Sequence, residues 1–285
     1  MMLCYLDGDF LPLEEARLSP LDRGFLFGDG AYEVIPVYSR RPFRLAEHLA
    51  RLENTLRALR LPNPHPAGAW EEIVARIVAG NPWDDQSVYL QVTRGADRMR
   101  RHAFPAHIRP TVFLMSEALA TPDREQLEHG VAAVSAVDYR WLRCDLKTVS
   151  LLANCLLRQQ AVDAGCAETV LFRDGFLTEG AASNIFVVRE GVLLAPPKGH
   201  LMLPGITYDI ILELAARHAL SHAVREIREE EARDADELWM TSSTKEVLPI
   251  TTLDGQPVGS GHPGECARRM HGWYREFKDT VMRHG

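Results

Sequence analysis

Hydrophobic and polar residues follow two different periods in the first third of the chain. Short apolar runs on either side of Asp7-Gly8, and again across "GAYEVIPVYSRRPFRL", predict pairs of strands joined by polar turns. Apolar residues recur at helical spacing in "AEHLARLENTLRALRL" and in "AWEEIVARIVAG". Two apolar strands, "SVYLQVTRG" and "RPTVFLMSEAL", complete a predicted small α+β domain over residues 1–120, which ends near a polar linker.

Strand patterns dominate residues 121–285, which we expect to form a second, larger domain. Hairpins are predicted about Asp174-Gly175 and Glu190-Gly191, and "ELWMTSSTKEVLPITTLDG" predicts a strand, a hydroxyl-rich turn and another strand. One helix begins at "LPGITYDI", and another ends at Gly165. The helix before Gly165 has one predicted apolar face, which comprises Val149, Leu152, Ala153, Leu156, Leu157, Gln160 and Ala161.

Composition and charge exclude several classes of function. The chain has 285 residues, 46% of them hydrophobic, and a net charge of −7, which argues against a nucleic-acid partner. Its five cysteines form no CxxC pair, which is typical of a reducing cytoplasm. The N-terminus has no long apolar run, so we expect neither a signal peptide nor a membrane anchor. We predict no metal site.

Lysine is rare, and one lysine stands where an apolar stretch passes into a helix. The four lysines are Lys147, Lys198, Lys245 and Lys278. Lys198 in a Pro-Gly loop and Lys278 in a charged C-terminal helix are expected to be solvated. Lys147 has apolar neighbours that could desolvate its amine, lower its pKa and leave it nucleophilic. A surface lysine with an extended stem is the alternative.

A second candidate is Glu179 in "LTEGAASNIFVV", a carboxylate between two apolar strands. Burying it is costly unless it meets a cation. An exposed glutamate in a turn is the alternative interpretation.

Two further segments could bind an anion. Gly205, Ile206 and Thr207 open a helix, where backbone N–H groups and a hydroxyl are available, although Thr207 could serve only as the N-cap. In "TSSTKE", Ser242, Ser243 and Thr244 could donate to phosphate oxygens, or only to their own backbone.

Taken together, these features describe one ligand. An aldehyde would bind Lys147, a basic ring nitrogen would pair with Glu179, and a phosphate would contact the helix start and the hydroxyl turn, which is the chemistry of pyridoxal 5′-phosphate. The motifs stand in the order "FLFGDGAYEV", "EHLARL", "CDLKTVSLLANCL", "LTEGAASNIF", "LPGITYDI" and "TSSTKEVLPI". In these motifs nearly the whole chain resembles the fold-type IV pyridoxal-phosphate enzymes, most closely the D-amino acid (D-alanine) aminotransferases.

The resemblance implies an α+β fold of two domains and a homodimer. The larger C-terminal domain would contain a strand pseudo-barrel, with the cofactor between the two domains. Lys147 would be the catalytic Schiff-base lysine, and Glu179 the partner of the ring nitrogen. The phosphate-binding residues implied by the resemblance are Arg51, Ile206, Thr207, Ser242 and Ser243.

The implied reaction is a ping-pong transamination between a D-amino acid, of the D-alanine or D-glutamate type, and a 2-oxo acid. In "RRHAFP" the resemblance assigns Arg100 and His102 to the substrate carboxylate, reaching over from the partner subunit. The loop is about one residue longer than the family's pattern, so Arg98 and Arg101 are alternatives to Arg100.

Other substrate-side residues implied by the resemblance are Tyr32 and Thr244. Tyr208 departs from the family, which commonly has arginine there, and its consequence is left open. Two other activities share the cofactor site: a branched-chain L-amino acid aminotransferase and a 4-amino-4-deoxychorismate lyase. A non-catalytic two-domain binding protein is the remaining alternative.

Overall fold

The computed structural model describes residues 2–107 and 109–284, which form two compact units. The first unit comprises the residues up to Ala120, the segment Leu146–Leu151 and the residues from Val281 onward. The second comprises Thr121–Asp145 and Leu152–Thr280. The lysine-bearing segment 146–151 thus belongs to the first unit, whereas the sequence pattern suggested a division without such an exchange.

The first unit contains an antiparallel sheet of six strands in the order β2-β1-β6-β5-β3-β4. Its strands are β1 Leu3–Leu6, β2 Asp9–Pro12, β3 Gly30–Tyr38, β4 Arg41–Pro42, β5 Gln86–Thr93 and β6 Thr111–Ala118. Its helices are a 3-10 turn Leu13–Glu15, α1 Arg23–Phe27, α2 Leu45–Ala58 and α3 Ala67–Gly80. Helices α2 and α3 bury their apolar faces against this sheet, around Leu52, Leu56, Trp70 and Ile77.

Strand β3 connects this core to the segment that carries Lys147. Side chains alternate along a strand, and Ala31, Ile35 and Val37 join the core cluster while Tyr32 is only partly buried. The segment 146–151 pairs with the start of β3, since the Tyr32 N–H donates to the Lys147 carbonyl at 3.0 Å. Lys147 is therefore fixed beside β3 by backbone hydrogen bonds.

The second unit contains a sheet of nine strands. They are β7 Val131–Val137, β8 Glu168–Arg173, β9 Phe176–Gly180, β10 Asn184–Arg189, β11 Val192–Ala195, β12 His222–Val224, β13 Glu237–Ser242, β14 Glu246–Leu253 and β15 Gln256–Pro257. Its helices are α4 Arg124–His129, α5 Leu152–Asp163, α6 Ile206–Arg217, α7 Glu229–Arg233 and α8 Glu265–Phe277, with a π-helical turn over Lys278–Met282.

The nine strands follow the order β12-β11-β10-β13-β14-β7-β8-β9, with β15 beside β14. Strand β9 also contacts β10, so the sheet curls back on itself into a pseudo-barrel, as the resemblance implied. Alternate residues of β10 and β13 point into an apolar core that includes Ile185, Val187, Leu238 and Met240. The opposite faces of these strands are also buried, since Phe186 packs on Tyr208 of α6. Both faces of this sheet therefore carry apolar side chains.

Helix α5 differs from its prediction. It begins at Leu152 rather than at Val149, and only Leu157 and Ala161 are buried. Leu152 and Leu156 are 75% and 52% exposed, although they belong to the predicted apolar face. The pattern correctly marks a helix, but part of its apolar surface stays uncovered within one chain. Among the described residues, no helix is both long and apolar enough to cross a membrane.

Candidate active site

Lys147 is half-buried in the first unit. Its Nζ lies 4.2 Å from the centre of the Tyr32 ring, and its backbone N–H donates to Thr55 Oγ1 of α2 at 3.3 Å. An ammonium group over an aromatic face is stabilised by the ring's negative potential. The geometry holds the amine at the beginning of β3, beside the tyrosine that the resemblance placed on the substrate side.

The expected phosphate arginine, Arg51, is held by a carboxylate inside the same unit. Its Nε and Nη2 donate to Glu33 Oε1 and Oε2 at 2.8 and 2.7 Å, a bidentate pairing. His48 lies one turn earlier on α2, and its Nδ1 donates to Glu33 Oε2 at 2.8 Å. Glu33 and His48 are completely buried. The carboxylate thus fixes two side chains of α2 at once.

The charges of this cluster are set by the pairing. Burial alone would raise the pKa of Glu33, but the charge and hydrogen bonds of Arg51, together with His48, lower it to about 2. Burial lowers the pKa of His48, and the charges of Arg51 and Lys147 act in the same direction, against Glu33. His48 is therefore neutral at pH 7. Its buried Nε2 has no hydrogen-bond partner among the described residues.

Glu179 is buried in the second unit, with only 4% of its surface exposed, so it is not an exposed turn residue. Arg140 Nη1 donates to its Oε1 at 2.5 Å, while the Leu203 N–H and Asn184 Nδ2 donate to Oε2 at 3.1 and 3.3 Å. Burial raises the pKa of Glu179 to about 7, against the lowering effect of Arg140. The cation that its burial requires is thus an arginine from the strand-to-loop junction after β7.

Arg140 is itself held in place. Its Nε and Nη2 donate to the two oxygens of Asp138, both at 2.9 Å, and Arg173 pairs with Asp138 at 3.0 Å. The Thr178 hydroxyl donates to Asp138 Oδ2 at 3.0 Å. Since Asp138 and Arg140 are both buried, the orientation of Arg140 towards Glu179 is fixed by its neighbours.

The start of α6 is coupled to Glu179 through Asn184. Asn184 Nδ2 also donates to the Leu203 carbonyl at 3.0 Å, which holds the approach to the helix. Gly205 is the N-cap, and its backbone lies so close to Asn184 that a Cβ there would be 2.1 Å from Asn184 Oδ1. Thr207 is therefore not the N-cap but the second helical residue, and both Ile206 and Thr207 are buried.

In the hydroxyl turn between β13 and β14, one hydroxyl bonds the backbone of its own turn. Ser242 Oγ accepts a hydrogen bond from the Lys245 N–H at 3.1 Å and lies 3.4 Å from Thr244 Oγ1. One hydroxyl is therefore used partly by its own turn. Ser243 is partly buried in the same turn.

The structure corrects the prediction for Lys278 and answers the question that the sequence left open for Tyr208. Lys278 is not solvated, because its Nζ bonds Glu246 Oε1 at 2.7 Å and its side chain is only 16% exposed. Tyr208, where the family commonly has arginine, is buried and donates its hydroxyl to the Pro196 carbonyl at 2.8 Å. It takes part in packing and makes no ion pair there.

The loop that follows β5 separates its arginines. Arg100 and His102 both contact the Phe27 ring, at 5.0 and 5.3 Å between centres. Arg101 instead pairs with Asp97 at 2.9 Å. Arg100 and His102 therefore lie on the same side of the loop, whereas the Arg101 guanidinium forms an ion pair with Asp97.

Within each unit, the structure brings together part of the predicted site. The first unit joins Lys147, Tyr32 and Arg51 around β3 and α2, and the second joins Glu179 to the helix start at Ile206 and Thr207. Sequence reasoning did not find the side chains that hold these residues: Glu33, His48, Asp138, Arg140 and Asn184. The only local signal was a glutamate inside the otherwise apolar strand β3.

The sequence of this chain is similar to those of known aminotransferases. The family described as amino-transferase class IV matches residues 30–253. The D-alanine aminotransferase of Bacillus licheniformis is 36% identical over 269 residues, which cover 94% of each chain. That of Staphylococcus aureus (strain MW2) is 32% identical over 277 residues, 97% of this chain and 98% of the relative. The chain belongs to the class IV amino-transferase family, and the prediction of an aminotransferase is confirmed.

Solved structures share the fold. A branched-chain amino acid aminotransferase from T.th., solved with pyridoxamine 5′-phosphate, matches with a TM-score of 0.88 and 27% identity, over 96% of this chain and 93% of that chain. A fold IV transaminase from Curtobacterium pusillum matches with a TM-score of 0.81 and 26% identity, over 93% and 92% of the two chains. The predicted fold-type IV architecture is confirmed.

The Glu33 cluster predicts a pH-dependent stability. A pKa of about 2 lies well below the ordinary value, and the difference corresponds to about 3 kcal/mol of unfolding free energy at neutral pH. As the pH falls, the unfolded chain takes up the proton first, so this contribution is complete above about pH 5 and is lost towards pH 2. Glu33→Gln should therefore lower the free energy of unfolding by about 3 kcal/mol at pH 7, and by about 1 kcal/mol less at pH 3.5.

Urea denaturation of the cofactor-free protein at both pH values measures this difference. Glu47→Gln is the matched control, because Glu47 lies on the same helix with its side chain 54% exposed. A Glu33→Gln effect of the same size at both pH values would contradict the assigned ionisation.

Proposed function

We propose that the protein transfers the amino group of a D-amino acid, of the D-alanine or D-glutamate type, to a 2-oxo acid. Pyridoxal 5′-phosphate is its cofactor. The observation that carries the proposal is Glu179, a buried carboxylate held by Arg140 and two further donors, in a chain whose curated relatives are D-alanine aminotransferases. That arrangement is suited to binding a protonated ring nitrogen.

The donor set fits this cofactor. A carboxylate accepts about four hydrogen bonds, and Glu179 receives three from protein groups, so it has capacity for a ring N–H. The first-turn N–H groups of α6, the Thr207 hydroxyl and the Arg51 guanidinium are the kinds of donors that phosphate requires. We propose that these groups hold the phosphate together with Ile206, Ser242 and Ser243.

When bound, pyridoxal phosphate supplies an electron sink that stabilises negative charge at the substrate Cα. Glu179 would hold the proton on the ring nitrogen. The positive charge of that protonated ring would stabilise the ionised carboxylate, and so lower the pKa of Glu179 from the value of about 7 that it has beside Arg140 alone. Lys147 would hold the cofactor covalently through its Nζ. Once the substrate amine had displaced that Nζ, the free amine would remove the proton from the substrate Cα. Glu33, which neutral His48 holds in place, would orient the Arg51 guanidinium for the phosphate.

The substrate side of the proposal rests on the loop after β5. We assign the substrate carboxylate to Arg100 and His102, because both lie on Phe27 while Arg101 is paired with Asp97. Arginine's planar fork matches a carboxylate. Tyr32, under the Lys147 amine, and Thr244 in the hydroxyl turn complete the proposed substrate side.

We further propose that the enzyme is a cytoplasmic homodimer in which this loop serves the partner's site. All five cysteines are unpaired, which supports a reducing compartment. Large apolar side chains are exposed in the second unit, and soluble monomers rarely expose large contiguous apolar patches. They are Tyr139, Trp141, Leu142, Leu152 and Leu156.

The first test is an assay of the purified protein with D- and L-alanine, D- and L-glutamate and branched-chain L-amino acids, each with pyruvate or 2-oxoglutarate. We expect faster transfer from the D-enantiomers. Lys147→Ala should lower turnover by several orders of magnitude, because the covalent cofactor link and the base at Cα are lost together. Lys198→Ala is the control, since Lys198 forms an ion pair with Asp209 and is 45% exposed.

Three outcomes would contradict the proposal. A preference for L-amino acids would favour a branched-chain aminotransferase. Release of pyruvate without any oxo-acid acceptor would favour the lyase. Wild-type turnover in Lys147→Ala would remove the lysine from its role.

The loop predicts a difference between neighbouring arginines. Arg100→Ala should lower kcat/KM for D-alanine by a factor equivalent to about 2–4 kcal/mol of transition-state binding, because the substrate carboxylate loses a bidentate partner. Arg101→Ala should stay within about threefold of wild type, since Arg101 pairs with Asp97 at the surface. Steady-state kinetics on both variants measure the difference. A larger loss of kcat/KM in Arg101→Ala than in Arg100→Ala would instead assign the substrate carboxylate to Arg101.

The dimer proposal predicts that Leu156→Glu dissociates the enzyme, because a charge would enter an apolar contact. Val162→Glu is the matched control: Val162 is also exposed on α5 but lies about 120° away around the helix. Sedimentation should give about twice the chain mass for wild type and for the control, and the chain mass for Leu156→Glu. A monomeric wild type would refute the dimer.

A further inference from the structure

The loop that carries Arg100 and His102 is held by a buried arginine outside it. Arg23, in the short helix α1, is only 3% exposed. Its guanidinium donates to three successive backbone carbonyls of the loop: Nη1 to Arg101 at 2.6 Å and to Ala103 at 3.5 Å, and Nη2 to His102 at 3.1 Å. Each carbonyl is within two residues of Arg100 or His102, the side chains proposed to bind the substrate carboxylate. The rigid, planar guanidinium of Arg23 therefore fixes the path of the loop backbone beside these two side chains.

Arg23 is fixed from its other side by Asp29. Its Nε donates to Asp29 Oδ2 at 2.8 Å, and Arg94 meets both oxygens of the same carboxylate at 2.8 and 3.0 Å. Arg94 is tied to the end of α2 through the Leu59 and Arg60 carbonyls, at 2.7 and 3.1 Å. The end of α2 is thus connected to the loop of Arg100 and His102 through Arg94, Asp29 and Arg23.

Aromatic contacts continue the same arrangement. Phe27, at the end of α1, lies 4.8 Å from the Arg23 guanidinium and also contacts Arg100 and His102. Phe104 of the loop lies 3.6 Å from the Arg94 guanidinium. Arginine stacks well on aromatic faces. Helix α1 therefore supplies both Arg23, which bonds the loop backbone, and Phe27, whose ring contacts the Arg100 and His102 side chains of the loop.

The loop itself buries little, since residues 98–104 are all exposed. A segment with so few buried contacts opens easily unless specific interactions with buried groups hold it. Arg23 supplies three of these from a buried position, and a lysine there could not, because its compact ammonium has no planar fork to span successive carbonyls.

We infer that Arg23, oriented by Asp29 and Arg94, is the positioning residue that holds the loop of Arg100 and His102 in the geometry that binds the substrate carboxylate. The inference rests on the proposed function, because it takes the clamp assignment from there. Arg23 acts through the loop and does not touch the substrate. Since a displacement of about 1 Å at a positioning group can cost about 100-fold in rate, its loss should appear chiefly as a weaker use of carboxylate substrates.

The test uses the holoenzyme with Arg23→Met and Arg23→Lys. Both should raise KM for D-alanine at least about tenfold and lower kcat/KM by about 100-fold, while the cofactor's visible absorbance and its rate of release on dialysis stay unchanged. Arg76→Met is the matched control, because Arg76 lies in the same unit with its guanidinium on Phe10. It should leave kinetics and cofactor retention as in wild type.

Limited trypsin digestion gives a readout independent of activity, because the loop contains cleavage sites at Arg98, Arg100 and Arg101. Cleavage there should be several times faster in both Arg23 variants than in wild type or Arg76→Met. If Arg23→Met is not recovered as folded protein, Arg23→Lys decides, since it keeps the positive charge beside Asp29.

The outcomes separate this role from the proposed function. An active wild type whose Arg23 variants keep the wild-type KM and trypsin pattern would overturn the role of Arg23 alone. Loss of the cofactor in those variants, in step with activity, would also overturn it in favour of a general structural role. A wild type that transaminates no amino acid would overturn the proposed function, and the role of Arg23 with it.

Discussion

The pairing of Arg140 with Glu179 is the interaction on which the buried polar network of the second unit depends. A carboxylate buried this deeply has lost its hydration, and leaving it without a cation costs several kcal/mol. Arg140 supplies that cation, Asp138 orients Arg140, and Asn184 links the carboxylate to the start of α6. The first unit uses the same principle at Glu33 and Arg51. In both units the buried carboxylates and arginines are therefore paired with one another, and the hydrogen bonds of each cluster fix the orientation of its arginine side chain.

Much of the fold could be predicted because its signals are local. The turns at Asp174-Gly175 and Glu190-Gly191 occur where the chain takes positive φ angles, which aspartate and glycine tolerate well. The amphipathic helices of the first unit follow from leucine spacing. Lys147 and Glu179 stood out for a similar reason, since each is an ionisable residue in an apolar context where burial demands a partner.

The partners themselves could not be predicted, because sheet register and packing create them. Arg140 is 39 residues from Glu179, and Arg51 is 18 residues from Glu33, so no sequence spacing links them. Lys278 appeared solvated for the same reason, since Glu246 meets it from 32 residues away. On α5 the apolar pattern was present, but the described residues leave 75% of Leu152 and 52% of Leu156 exposed.

The division of the chain has a consequence for the order of folding during synthesis. Residues 1–120 emerge first, yet β3 lacks its hydrogen bonds to the segment 146–151, and Asp85 lacks Arg283, which meets it at 2.6 and 2.8 Å. The first unit therefore cannot complete these contacts until residues 146–151 and Arg283 have been made. The lysine-bearing segment can pair with β3 only after residues 146–151 have been made, so the Lys147 amine reaches its place after all six strands of the first sheet have been synthesised.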